Sequence, residues 1–414
     1  MQELFNFTDT VSKPASITEE LASFNDFGST THVSELITEE VTIPVYTNEF
    51  WTSKQRAAHS LHEISYRACF KPQLPKFFIE RFSQKGDTVY DPFMGRGTTL
   101  LESSLLQRQT IGCDLNPLSR ILLTPRLHPP SYDDVKKRLN EIDFQAANDA
   151  SQDADLLVFF HPKTLQAINS LKSYLAGRHS TNTADNIDRW IQMVASNRLT
   201  GHSAGFFSVY TLPPNQSVSV VSQQRINAKR DQTPPYRDVP TLILKKTKSL
   251  LRDYKEGQLD SKLTHRVIIG SADDTPLIES SSVDLIITSP PFLDVIDYRA
   301  DNWLRCWMNG IDSNELPIWQ VRNPDAWTSA FKKVFKELHR VLKPNGTIAF
   351  EVGEVNKGTL KMEEMVIPAA TSAGLEPVCV MVNAQVFTKT SNCWGVNNGV
   401  KGTNSNRVVI LRKK

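Results

Sequence analysis

The 414-residue chain is 40% hydrophobic and 22% charged, which is ordinary for a globular protein with a buried core. This composition excludes collagen-like, coiled-coil and wholly disordered proteins. No apolar run approaches the ~18 residues that a membrane span needs, and the first residues lack the pattern of a secretion signal. The five cysteines are scattered and never form Cys-x-x-Cys, so they predict free thiols in the cytoplasm rather than disulfides or a zinc site.

The net charge of +2 conceals an uneven distribution along the chain. Residues 1–50 contain nine acidic side chains and a single basic one, so the remainder of the chain is basic. A basic body favours a polyanionic partner, although many unrelated proteins are mildly basic. We interpret residues 1–50, which show no long periodicity, as an acidic N-terminal extension that is at best partly ordered.

From Leu74 onward the apolar pattern predicts a β-α-β unit. An amphipathic helix over 74–82 precedes a strand at 88–91, a helix at 98–107, a strand at 110–114 and a helix from Leu118. Such a unit implies a parallel sheet that is covered on both faces. Residues 51–130 are therefore predicted to form the first half of an α/β domain.

Residues 131–261 interrupt this alternation. Helices are predicted near 133–148, 163–176, 185–197 and 240–256, with a turn-rich polar stretch over 197–238. Strand patterns return at 266–269, 283–288, 346–351, 376–382 and 407–412, with helices at 327–342 and near 362–373. The simplest organisation is one α/β domain, formed by residues 51–130 and 262–414, into which residues 131–261 are inserted.

The first strand is followed by a glycine-containing loop, Asp91-Pro92-Phe93-Met94-Gly95-Arg96-Gly97-Thr98-Thr99. Glycines let the backbone approach a ligand, and the N-terminus of the next helix offers free N–H groups to an anionic group. The pattern favours a nucleotide-like cofactor loop, but a tight strand–helix turn would also produce it. The loop is not a P-loop, because no Lys-Ser/Thr follows, and not a dinucleotide fingerprint, because Leu100 replaces the third glycine.

Acidic residues follow two further strands. Asp114 ends the second strand, where a carboxylate can accept hydrogen bonds from both hydroxyls of a ribose; alternatively it caps the next helix. Asp273 lies just after the strand that ends at Gly270, where it could bind an adenine amino group or be a loop residue without a role.

A third segment, Thr288-Ser289-Pro290-Pro291-Phe292, follows a strongly apolar strand. Two prolines fix the backbone at the carboxyl end of a strand, where open α/β sheets bind their ligands. A hydroxyl, a carbonyl oxygen and an aromatic face would together suit the amino group of a stacked planar base. A proline-rich turn with a core phenylalanine is the structural alternative.

In combination, these motifs closely resemble those of the amino-group DNA methyltransferases, and within them the cytosine-N4 branch. The resemblance covers roughly residues 54–125 and 265–412 and includes residues 62–75, 297–298 and 340–346. It implies a Rossmann-like S-adenosylmethionine-dependent methyltransferase fold with an inserted target-recognition region. The chain departs from the family at Arg96, where a small residue is common, and at Phe292, where tyrosine is more frequent.

The resemblance also implies roles for individual residues. The catalytic set that holds the target base would be Ser289, Pro290, Pro291 and Phe292. The residues that bind S-adenosylmethionine would be Phe70, Lys71, Asp91, Pro92, Phe93, Gly95, Gly97, Thr98, Asp114, Asn116 and Asp273. No spacing in the sequence indicates a metal site.

The expected activity is methyl transfer from S-adenosylmethionine to the N4 amino group of a cytosine flipped out of duplex DNA. Cytosine-C5 methylation would need a nucleophilic cysteine, usually in a Pro-Cys dipeptide, which this chain lacks. The alternatives are adenine-N6 methylation, methylation of an RNA base amino group, and a DNA-binding module with a vestigial methyltransferase site. The expected binding partner is double-stranded DNA. A cognate restriction endonuclease is also expected, and no interaction with a membrane is expected.

The insertion is the predicted target-recognition region. Residues 222–266 contain eleven basic and five acidic side chains, and several of the basic ones share a face of the helix over 240–256. Such a face contacts DNA phosphates or is simply solvated. The DNA-binding candidates are Arg225, Lys229, Arg230, Lys245, Lys248 and Arg252. Residues of types that read base edges are Asn215, Gln216, Gln223, Gln224 and Arg225.

Overall fold

The computed structural model describes residues 16–38, 41–52, 58–67, 69–146, 150–291, 297–317, 323–355, 360–384 and 405–414. The strands are β1 His32–Ile37, β2 Thr42–Asn48, β3 Thr88–Asp91, β4 Gln109–Asp114, β5 His265–Ile269, β6 Val283–Thr288, β7 Leu342–Val352, β8 Glu354–Val355, β9 Leu360–Lys361, β10 Leu375–Ala384 and β11 Ser405–Lys413. The helices are α1 Ile17–Ser23, α2 Gln73–Phe82, α3 Thr98–Leu105, α4 Leu118–Leu127, α5 Tyr132–Glu141, α6 Pro162–Ser180, α7 Asn186–Arg198, α8 Val220–Arg230, α9 Val239–Leu250, α10 Tyr298–Met308, α11 Pro324–Val341 and α12 Glu363–Thr371.

Within these residues, a nine-stranded sheet with the order β1-β2-β10-β11-β7-β6-β3-β4-β5 forms the centre of the molecule. Strands β7, β6, β3, β4 and β5 run parallel to one another, and β11 is antiparallel to both of its neighbours. The predicted α/β fold with a parallel sheet is confirmed. Because parallel strands end at the same edge, the loops after β3, β4 and β6 meet there.

Both faces of the sheet are buried, which explains the near-continuous apolar character of its central strands. On one face, β6 packs through Ile286 against Phe331 and Phe335 of α11. On the other face, Leu285 and Ile287 share an apolar cluster with residues of α2.

The N-terminal segment belongs to the sheet, so the interpretation of residues 1–50 as a partly ordered extension is wrong for its described residues. Helix α1 begins with a reciprocal cap, in which the Ser16 hydroxyl accepts from the Glu19 N–H at 3.3 Å and the Glu19 carboxylate accepts from the Ser16 N–H at 3.0 Å. Strand β2 then pairs in parallel with β10, with Val45 opposite Val380. Residues 1–15 lie outside the described residues.

The insertion between β4 and β5 is helical and contributes α5 to α9. These helices pack on α4 and α10 in one apolar cluster. The stretch predicted as turn-rich contains α8, a helix that apolar periodicity could not reveal because its one buried residue is the polar Gln223. Among the described residues, none of the helices is both long and apolar enough to cross a membrane.

Candidate active site

A pocket lies at the edge of the sheet where β3, β4 and β6 end. It encloses about 840 Å³ of space between atoms, a volume that includes open solvent at its mouth. Its lining residues are Tyr66, Cys69, Phe70, Asp91, Pro92, Phe93, Met94, Gly95, Thr98, Asp114, Leu115, Asn116, Gly270, Ala272, Ser289, Pro291 and Tyr298. The three motifs predicted after separate strands therefore converge on a single cavity.

Asp91 connects the loop after β3 to the end of β6. Its side chain is buried, and its Oδ1 accepts hydrogen bonds from the Thr288 hydroxyl at 2.7 Å and the Phe93 N–H at 3.1 Å. Burial raises the pKa of Asp91 to about 6, although these hydrogen bonds favour the charged form. A cationic ligand group beside this carboxylate would stabilise its charged form and lower its pKa.

Asp114 orders the glycine loop from the neighbouring strand. Its Oδ2 accepts from the Gly95 N–H and its Oδ1 from the Asn116 N–H, both at 2.8 Å. Burial raises the pKa of Asp114. Asp114 does not cap α4. The Asn116 side chain does so instead, because its Oδ1 accepts a hydrogen bond from the Leu118 N–H at the start of that helix.

Four of the predicted site residues do not line the cavity. They are Lys71, Gly97, Asp273 and Pro290. Gly97 has a left-handed φ of +76°, and a Cβ there would stand 2.6 Å from Leu123 Cδ1, so the glycine allows close packing of α4 rather than close approach of a ligand. Asp273 accepts a hydrogen bond from the Ser271 hydroxyl, while its neighbour Ala272 lines the cavity. Phe292 lies outside the described residues.

Sequence reasoning assigned no role to several lining residues. The most prominent are Tyr66 and Tyr298, whose rings stack at 6.5 Å between centroids with 29° between their planes. Both lie in segments that carried the family resemblance, which is the pattern that could have identified them. The other lining residues without an assigned role are Cys69, Met94, Leu115, Gly270 and Ala272.

Two buried arginines connect the segment that contains Tyr66 to the glycine loop through hydrogen bonds. Arg96 donates to the Ile64 carbonyl at 2.6 Å and to the Thr98 hydroxyl at 3.1 Å. Arg126, which is fully buried, donates to the carbonyls of Leu61 and Arg96. Arg96, the departure from the family pattern, thus makes a buried structural contact between the glycine loop and the segment that contains Tyr66.

Ser289 and Pro291 bring the catalytic motif into the pocket. Trp327 of α11 donates its indole N–H to the Pro291 carbonyl at 3.3 Å, which fixes the loop after β6. Burial raises the pKa of the Glu351 carboxyl on β7, the strand that pairs with β6. No cluster of three or more metal-ligating side chains occurs among the residues that the structure describes.

The predicted DNA-binding residues fall into two groups. Arg225, Lys229, Lys245 and Lys248 are exposed on α8 and α9. Two further candidates are already engaged: Arg252 pairs with Glu63 at 2.9 Å and Asp253 at 3.1 Å, and Arg230 stacks on Tyr210 with its guanidinium carbon 3.8 Å from the ring centre.

The polar residues proposed to read base edges also differ in availability. Gln224 is exposed, but Gln223 is buried and donates to the Tyr210 carbonyl at 3.0 Å. Gln216 accepts from Arg67 at 2.8 Å, beside the pocket residue Tyr66.

Comparisons with known proteins identify the family of the chain. The family model N6_N4_Mtase, described as DNA methylase, matches residues 29–119 and 283–409, more than half of the chain. The chain is 25% identical over 296 residues to the Type II methyltransferase M.BsoBI of Geobacillus stearothermophilus, covering 64% of this chain and 55% of that protein. It is 35% identical over 89 residues to the Type II methyltransferase M.MjaII of Methanocaldococcus jannaschii, covering 21% of this chain and 17% of that protein.

The chain thus spans about half the length of the first of these relatives and less of the second. Among solved structures, TrmN from Thermus thermophilus aligns with 86% of this chain and 52% of its own, at 12% identity and a TM-score of 0.32.

The pocket fits the cofactor of this family. Two buried carboxylates, Asp91 and Asp114, stand at the ends of adjacent parallel strands, suited to an ammonium group and to ribose hydroxyls. Apolar and aromatic side chains, among them Tyr66, Phe70 and Tyr298, complete the walls of the cavity. The chain belongs to the N6/N4 DNA methylase family, and its cofactor is S-adenosylmethionine.

Proposed function

We propose that this protein is a site-specific DNA methyltransferase that methylates the N4 amino group of a cytosine flipped out of duplex DNA. One observation carries the proposal: Ser289 and Pro291 line the same cavity as Asp91 and Asp114. A group that accepts amino protons and the carboxylates that suit the cofactor therefore share one pocket, as direct methyl transfer requires.

The chemistry needs alignment more than activation. The lone pair of the cytosine amino nitrogen is delocalised into the ring, which makes the nitrogen a poor nucleophile. If the hydroxyl oxygen of Ser289, a residue that lines the cavity, accepts a hydrogen bond from the amino group, the nitrogen becomes more pyramidal and its lone pair is exposed. The cofactor supplies a methyl group activated by the sulfonium charge, and orientation of the two reactants can contribute ~7–11 kcal/mol.

The amino group is unreachable within a duplex, so the base must leave the helix at a cost of a few kcal/mol. Stacking on Phe292 would offset part of this cost, at ~1–3 kcal/mol per base. Two observations support a base beside the cofactor: Trp327 fixes the residue before Phe292, and Tyr298 adds an aromatic wall to the same cavity. Cytosine is favoured over adenine because the Ser-Pro-Pro-Phe motif resembles the cytosine-N4 branch.

The DNA would lie against the exposed basic side chains of α8 and α9. Lys245 and Lys248 are exposed one helical turn apart on α9 and suit contacts with phosphates. Arg225 and Gln224 are exposed side by side on α8 and have the side chains that read guanine and adenine edges. The segment before α8 contacts α10, the helix that begins with the pocket residue Tyr298, because Trp303 of α10 donates to the Val218 carbonyl at 3.1 Å.

Type II methyltransferases among the relatives favour a place in a restriction–modification system, with a cognate endonuclease as companion. The protein would then mark the sequence that this nuclease cuts. Protection of DNA against cleavage after methylation tests this part of the proposal.

The proposal is tested by transfer of label from methyl-labelled S-adenosylmethionine to duplex DNA of mixed sequence, with single-stranded DNA and RNA as competing substrates. We expect label in duplex DNA. Ser289→Ala should lower turnover while the affinities for cofactor and DNA stay near those of the wild type, because the lost hydrogen bond strengthens mainly in the transition state. Label in RNA alone, or full activity of Ser289→Ala, would contradict the proposal.

A further inference from the structure

A loop of the insertion, residues 213–217, is attached to the helix that begins in the wall of the pocket. That helix is α10, and it holds the loop at two points. Arg305 donates to the Pro214 carbonyl at 2.6 Å, and the Ser217 N–H donates to the Asp301 carbonyl at 2.8 Å. Because both contacts are made to one helix, the loop has a fixed position relative to the pocket.

Arg67 connects the same loop to the pocket through a side chain. It follows the pocket residue Tyr66 in the chain, and its Nη1 donates to both carboxylate oxygens of Asp301, at 2.8 and 2.9 Å. The same nitrogen donates to Gln216 Oε1 at 2.8 Å. Asp301 is buried, so charge-assisted hydrogen bonds hold the guanidinium in place. The side chain of Gln216 is therefore held next to the pocket wall by a positioned cation.

The chemistry of Arg67 decides which end of the Gln216 amide is available to a ligand. A guanidinium carries only donors, so the amide oxygen must face it and the amide NH₂ group must point away from it. Gln216 is half-buried, and among the residues that the structure describes no hydrogen bond engages its Nε2. An unrestrained glutamine pairs with adenine by donating and accepting at once, but with its oxygen held by Arg67 this amide can only donate.

We propose that Gln216 reads a base pair next to the flipped base, by donating to a base edge that presents only acceptors in the major groove. The inference rests on the proposed function. Such an edge belongs to guanine, through O6 and N7, or to thymine, through O4. Cytosine and adenine present an amino group instead, which would face the NH₂ donor of Gln216. Gln216 thus distinguishes a base pair from the same pair with its two bases exchanged between the strands, and Arg67 is the positioning residue that gives the amide this polarity.

Gln216→Glu tests the inference because it keeps the contact with Arg67 and changes the chemistry of the other end. The new carboxylate still accepts from Arg67, and its second oxygen is an acceptor where the wild type has a donor. The preference at the position that Gln216 reads should therefore invert, from G·C to C·G or from T·A to A·T. We expect the ratio of kcat/KM between the two orientations to change by about 10–100-fold, since one hydrogen bond contributes a factor of about 3–10 in each direction.

The measurement uses a duplex that the wild-type protein methylates, in which the base pairs on either side of the target are exchanged between the strands one at a time. Gln216→Met has a similar length but no donor, so it should lose the preference at that position without inverting it. Asn215→Asp is the matched control for charge, because it adds the same negative charge to the same loop. It should lower kcat/KM for all duplexes and leave the preference at that position as in the wild type.

The outcomes separate the inference from the proposed function. An unchanged preference in Gln216→Glu would make Gln216 only a structural partner of Arg67 and would overturn the inference, while wild-type methylation stands. The same inversion in Asn215→Asp would also overturn it, because charge alone would then be responsible. If Gln216→Glu does not fold, retention of the wild-type preference by Gln216→Met would refute the inference. Absence of DNA methylation by the wild-type protein would overturn the proposed function itself.

Discussion

Cofactor binding should weaken in acid as Asp91 becomes protonated. Asp91 is 2% exposed at the base of the pocket, and burial raises its pKa to about 6. We expect the Asp91 carboxylate to pair with the ammonium group of S-adenosylmethionine, and only the ionised carboxylate can do so. The pKa of the free protein therefore sets the pH below which affinity declines: the interaction is present above about pH 6 and is lost as pH falls.

The size of the effect follows from the fraction that is ionised. With a pKa of about 6, nearly all Asp91 is ionised at about pH 8, but only about one molecule in eleven at about pH 5. The dissociation constant should therefore rise about tenfold between these two pH values, equivalent to ~1.4 kcal/mol. Binding of the ammonium in turn should lower the pKa of Asp91, so proton release should accompany binding near pH 6.

Isothermal titration calorimetry from about pH 5 to about pH 8, repeated in buffers of different ionisation enthalpy, measures both quantities. Asp91→Asn is the matched variant, and it should bind more weakly with a dissociation constant that hardly varies with pH. The variant is needed because burial also raises the pKa of Asp114, a second carboxylate in the pocket. If Asp91→Asn kept the pH dependence of the wild type, the assignment of the effect to Asp91 would be refuted.

Two further predictions concern stability and DNA binding. Gly97→Ala should lower the free energy of unfolding by ~1–3 kcal/mol, because φ is +76° and the new Cβ would meet Leu123. The affinity for the cofactor should stay within about twofold of the wild type. An unchanged melting temperature would refute this prediction. The double variant Lys245→Glu, Lys248→Glu should weaken binding to all duplexes similarly and reduce the slope of log K against log salt by about 2. Arg252→Gln removes a charge that is already paired, so it should reduce both the affinity and the slope by less. Equal effects of the two variants would refute the distinction.

Local patterns in the sequence were sufficient for the cofactor half of the sheet. Strands β3 and β4 are short apolar runs, and each ends in an acidic residue, Asp91 or Asp114. Because parallel strands end at one edge, the convergence of these residues with Ser289 follows from topology alone. The helices of the insertion were recognised where they have an apolar face, as in α7 and α9.

Features that depend on distant residues were not predictable in this way. Strand β2 is held by its pairing with β10, more than 300 residues away, so no local period distinguishes it from an extension. Tyr66 and Tyr298 stack on each other in the wall of the pocket although they are more than 200 residues apart, which no sequence spacing reveals.

The identity of the methylated nucleoside is the most direct test of the proposed activity. Duplex DNA of mixed sequence is incubated with the wild-type protein and methyl-labelled S-adenosylmethionine, then digested to nucleosides and separated. We predict label in N4-methylcytosine. Label only in N6-methyladenine would overturn the choice of base and leave amino-group methylation intact. Label in 5-methylcytosine, or none in DNA while the cofactor is shown to bind, would contradict the proposal that this pocket transfers methyl groups to a base amino group of DNA.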